Sequence, residues 1–181
     1  MARWEGSHAE GAYSQALGNY SHAEGRNTIA ADSYTHAEGE ATQAIGISSH
    51  TEGYTTEARG QAAHAEGNTT IAGGNASHAE GYYTIVNSDA PYAHAEGNQT
   101  LAARRSSHAE GESTIGGNFG SHAEGQNSVA MGKYSHSEGQ ETSAGVGYKG
   151  YYWHFADETD KSILQLFELI VETDNITNEP Q

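Results

Sequence analysis

SHAEGRNTIAADSYTHAEG, residues 21–39, holds one five-residue word twice, fourteen residues apart, its first letter changed from Ser21 to Thr35. Outward in both directions the word or a close variant recurs. It places histidine at His8, His22, His36, His50, His64, His78, His94, His108, His122 and His136. Glutamate follows two residues later each time, at Glu10, Glu24, Glu38, Glu52, Glu66, Glu80, Glu96, Glu110, Glu124 and Glu138. The interval breaks only between His78 and His94, where two extra residues lie in NSDAPY, residues 87–92. A fixed period signals a repeat architecture, which outranks any single motif in deciding the fold.

Each unit splits into two similar halves, seen in Ser121-His122-Ala123-Glu124-Gly125 and Ser128-Val129-Ala130-Met131-Gly132. Each half reads as a five-residue strand closed by a two-residue turn. Side chains alternate along a strand, so Ser, Ala and Gly share one face while His and Glu share the other. Parallel stacking of such coils at about 4.8 Å gives a flattened all-β solenoid, a parallel β-roll about 45 to 50 Å long. Cost decides which face turns inward. Stacked carboxylates in a thin dry interior would each carry several kcal/mol of desolvation, roughly, whereas Ala, Ser and Thr fit freely. The glycines are expected at the turns, where positive φ is often needed.

Composition sharpens this reading. The chain has 181 residues with 23 glycines and few aliphatics, so a large mixed core is out of reach. Buried Ala and Ser supply little transfer energy at about 25 cal/mol per Å2, which points to further burial by association. The outward column of the second half is apolar only in part: it carries Ile29, Ile71, Ile85, Leu101, Ile115 and Val129 but also Gln15, Gln43, Glu57 and Ser143. The His/Glu column does not drift between copies. That uniformity places all ten His/Glu pairs at a subunit interface, where imidazole and carboxylate satisfy each other.

The formal net charge of −16 argues against nucleic acid or an anionic membrane as partner. Without cysteine there is no disulfide framework and no thiolate chemistry. Neither a signal-peptide pattern nor a bilayer-length apolar run occurs, so no membrane insertion is expected.

The S-x-A-x-G half-repeat in fourteen-residue units resembles the head of YadA-like trimeric autotransporter adhesins, and the SHAEG word itself is similar to repeats of bacteriophage tail-fibre and appendage proteins. The resemblance covers residues 7–145. It implies a left-handed β-roll, a homotrimer with one strand set facing the three-fold axis, and an extracellular role in attachment. Adhesin heads carry aliphatic residues where this chain has His and Glu.

H-A-E is similar to the H-x-E fragment of zinc deaminases, but their cysteine ligands are missing. A His/Glu column is chemically competent to hold metal. Structural His–Glu hydrogen bonding ranks ahead of it, so neither metal nor cofactor is expected. Catalysis is not expected either, since serine beside histidine points to the opposite strand face. Tyr13, Tyr20, Tyr34, Tyr54, Tyr82, Tyr83, Tyr92 and Tyr134 fall at turns and read as covers for the ends of the core. The insertion with Asp89, Pro91 and Tyr92 is a candidate receptor loop for a glycan or protein on a host surface.

The repeat stops after Gly145, dividing the chain into a roll, residues 1–145, and a C-terminal segment, residues 146–181. Tyr151, Trp153 and Phe155 would cap the last coil, as solenoid ends require. Ile163, Leu166, Phe167 and Ile170 fall at helical spacing and would pack against partner chains. The sequence thus predicts a homotrimeric, non-enzymatic fibre or head module that contacts a receptor. A cell-surface adhesin head fragment is the second reading and a fibre carrying a glycan-degrading site the third.

Overall fold

In the computed structural model, residues 1–145 and the backbone of Tyr151–Trp153 are described. Long strands begin at each repeat histidine, from His8–Ala12 to His136–Gln140, and alternate along the chain with two-residue strands from Gln15–Ala16 to Ser143–Ala144. The long strands form one parallel sheet and the short strands a second, each sheet ordered as the strands occur in sequence. The architecture is an all-β parallel solenoid. Every coil pairs in register with the next, His64 with His78 and Ile71 with Ile85. The coil with the insertion keeps this register, so His78 pairs with His94.

The small face points inward, as alternation requires. Ala23, Ala30, Ala65 and Ala72 are fully buried, and so are Thr28, Thr42, Thr70 and Thr84. Val86 is the largest fully buried side chain among the described residues. Hydroxyls stitch part of this core together: Ser14 and Ser128 donate to the carbonyls of Gly25 and Gly139, one rung along.

The two halves are less alike than their sequences. In the first, five residues stay extended; in the second, only two do, because the chain must turn at both ends of a narrow coil. Glycine also has another task than closing turns. From Gly11 to Gly139 the fourth residue of each long strand has φ between +93° and +111°. A Cβ on Gly67 would stand 2.2 Å from the carbonyl oxygen of Gly81 on the next rung. Both the dihedral and the approach exclude any side chain. The left-handed turn positions themselves are held mostly by other residues, including Tyr20, Asn27, Tyr34, Ser48 and Ala62.

The initial Ser or Thr of the word closes the turn before it. Ser21 donates to the carbonyl of Gly18 at 2.7 Å and Thr35 to that of Asp32 at 2.6 Å. A Ser-to-Thr change keeps that hydroxyl, which explains the altered first letter in the opening stretch.

After the tenth coil, Tyr151–Trp153 adds an eleventh parallel strand to the long sheet, placing Tyr151 opposite His136 and Trp153 opposite Glu138. Phe155, Ile163, Leu166, Phe167 and Ile170 lie outside the described residues. Among the described residues no helix is long and apolar enough to cross a membrane.

Candidate functional site: a histidine and glutamate ladder

Because the long strands pair in register, their outward residues form two parallel columns, one of imidazoles and one of carboxylates. From His22 to His136 consecutive rings stack with centroids 4.6 to 4.9 Å apart and planes within 11° of parallel. Only the first step, His8 to His22, is edge-on. The ring spacing is the inter-strand spacing of a β-sheet, so the backbone sets the stack.

The columns are half-buried: side-chain exposure is 36 % for His78 and 34 % for Glu80. In the stack, however, the Nε2 atoms are shielded. Those of His22, His36, His50, His64, His78, His94, His108 and His122 have almost no solvent access and no hydrogen-bond partner. Apart from His50, each of these nitrogens lies within 4.0 Å of the carboxylate two residues on, His22 to Glu24 at 3.6 Å, His64 to Glu66 at 4.0 Å and His122 to Glu124 at 3.4 Å. The expectation that imidazole and carboxylate satisfy one another is therefore not met inside one coil for these pairs. The strand pleat holds residues two apart near 7 Å at the backbone, and stacking fixes the ring plane before Nε2 can close on the carboxylate.

Burial, reinforced by the rings above and below, holds His50, His78, His94 and His122 below their ordinary value. These imidazoles are neutral near pH 7. The carboxylate column resolves its crowding by sharing protons. Glu80 is pushed up to about 7, chiefly by its hydrogen bond to Glu66, while Glu66 is held low by the same bond. Glu52 is raised by its bond to Glu66, and Glu124 by burial and its bond to Glu110.

The other candidate positions fare differently. The tyrosines at the turns range from about half exposed at Tyr82 and Tyr83 to about four-fifths exposed at Tyr13 and Tyr134. Tyr20 and Tyr34 stack at 5.6 Å. The insertion is woven into the coil rather than standing off it. Ala90 is fully buried, Asp89 pairs with Arg104, and Arg105 lies 5.5 Å over the Tyr92 ring. The backbone of Pro91 accepts from Ser106 on the next coil. Neither the Asp89–Arg104 pair nor the Arg105–Tyr92 contact was legible in the spacing, which places residues on rungs but not their side chains across turns.

The chain matches no protein-family model, and no curated protein sequence resembles it significantly.

Proposed function

We propose that the chain is a non-enzymatic structural and receptor-contacting module: a stiff homotrimeric rod that acts in attachment, in a phage tail fibre or similar surface appendage. The observation that carries this reading is the unbroken register of ten coils around a core of alanine, serine and threonine. Such a core gives stiffness through backbone pairing but little apolar transfer energy, so it favours burial against further copies. The half-buried His/Glu columns, repeated on ten rungs and with shielded ring nitrogens lacking partners from His22 to His122, are the face assigned to the neighbouring subunits. Exposed tyrosines along the turns supply amphipathic rings for a glycan or protein receptor, and three copies on a rod multiply weak contacts. The aromatic strand at Tyr151–Trp153 is assigned to the end of the rod as its cap.

Light scattering coupled to size exclusion tests the assembly, with a mass near three times 19.2 kDa expected. A monodisperse monomer would overturn the trimer. Binding on a glycan array would identify the receptor class.

A further inference from the structure

We propose that the His/Glu ladder is a repetitive binding site for divalent transition-metal ions of the zinc class. Five groups along the ladder bring three donor atoms within 4.8 Å of one another. Three of these groups share no residue: Glu38, His50 and Glu52; Glu66, His78 and Glu80; His108, Glu110 and His122.

The separations suit a bridging ion better than a hydrogen bond. His108 to Glu110 is 3.4 Å, His94 to Glu96 3.6 Å and His78 to Glu80 3.7 Å. Two ligands on one zinc ion, each at about 2.0 to 2.1 Å, lie roughly 3.0 to 3.4 Å apart. Small side-chain rotations close that gap, and the same rotations let stacked rings aim their nitrogens at a common point. The independent sign of a ligand is the set of shielded Nε2 atoms without hydrogen-bond partners at His78, His108 and His122, which lie 3.7, 3.4 and 3.4 Å from a carboxylate. Burial keeps His50, His78 and His122 neutral, the form that ligates. A divalent ion would also neutralise a column in which adjacent carboxylates otherwise compete for protons.

The donor set selects the ion. Imidazole with carboxylate suits Zn2+, Co2+, Ni2+ and Cu2+, whereas Ca2+ and Mg2+ require an all-oxygen shell. The remaining groups share Glu80 or His122 with these, so the three disjoint groups set the capacity. All donors come from one chain, so the site does not rest on the trimer, and zinc binding by a monomer would remove the trimer while leaving this site in place.

The test is a Zn2+ titration of the full chain, free of any histidine tag, against a chromophoric chelator at about pH 7.5. About three ions per chain are expected, released near pH 5.5 as imidazole protonates, and undisturbed by excess Mg2+. His50→Gln, checked for folding by circular dichroism, should remove roughly one equivalent, because its group overlaps no other that could take the ion, while Glu112→Gln, outside the columns, should remove none. Co2+ added to the unmodified chain should broaden the histidine ring resonances before those of tyrosine, a readout that needs no variant. Fewer than about one ion per chain, full capacity in a folded His50→Gln, or cobalt broadening spread evenly over the surface would each overturn the site.

Discussion

The two sheets of the solenoid share an interior and differ outside. Both bury alanine on nearly every rung, Ala23 and Ala37 in the long sheet, Ala30 and Ala44 in the short one. Outward, the long sheet repeats His and Glu ten times, while the short sheet passes from Gln15 to Ile29, Gln43, Glu57 and Ile71. The short sheet therefore shows what the fold alone demands of an outward residue, which is very little. The constancy of His and Glu must answer to something besides the coil. A neighbouring subunit and a bound cation both supply such a demand.

The comparison breaks most violently at the glycine column, where fold and word coincide. Gly81→Ala would force a Cβ to 2.2 Å from the Gly97 carbonyl at a φ of +110°. The expected cost is roughly 3 kcal/mol or more, read as a collapse of the thermal transition. Ala62→Gly, at a turn with φ of +53°, should instead be neutral or stabilising by up to about 1 kcal/mol. If both glycine-related variants melt like the parent, the rung-to-rung contact is not what fixes glycine in the word.

A smaller effect separates the two outward faces. Glu66→Ala removes the carboxylate bonded to Glu80 and Glu52, and His64→Ala the ring stacked between His50 and His78, each at about 1 to 3 kcal/mol per chain. Glu57→Ala, on the drifting column, loses an exposed pair with Arg59 and should stay within about 0.5 kcal/mol. Equal, negligible shifts in chemical denaturation at all three positions would mean that the word is kept for its small residues alone, and the interface assignment would fall.

What the sequence made legible was whatever depends on period and alternation. Fourteen-residue spacing gives the rungs, and the alternation of Ser21, His22, Ala23 and Glu24 gives inside and outside. Less visible was anything decided by contacts between rungs. Gly25 looks like a turn residue until the carbonyl of Gly39 is seen against it. Ser21 looks like a core residue, and it is buried, but its hydroxyl also ties off the turn at Gly18. The short second strand was hidden because T-I-A carries the same pattern as S-H-A while the chain bends too soon to pair further. Ring stacking follows from register, yet where each Nε2 points does not, so the unmet His–Glu hydrogen bond could only emerge from coordinates.

The finest test sets the two columns of the ladder against each other by pH, in buffer containing a chelator. His78 is held below its ordinary value of 6.5, mainly by burial, so its contribution is fully present above pH 6.5 and is lost as acid protonates it in the folded rod. Glu80 has the opposite sign. Its folded value, about 7, lies above the ordinary 4.5, so its contribution is present below pH 4.5 and is lost as pH rises through about 7 and the shared proton leaves. Glu80→Gln keeps an amide that can still donate to Glu66 while removing the second charge. Because Glu80 is about one-third exposed, solvent screening limits the gain to a few tenths of a kcal/mol, under about 1, near pH 8. Near pH 5, where Glu80 already carries its proton, variant and parent should melt together. A gain as large at pH 5 as at pH 8 would show that the amide acts through packing, and that no proton is shared along the carboxylate column.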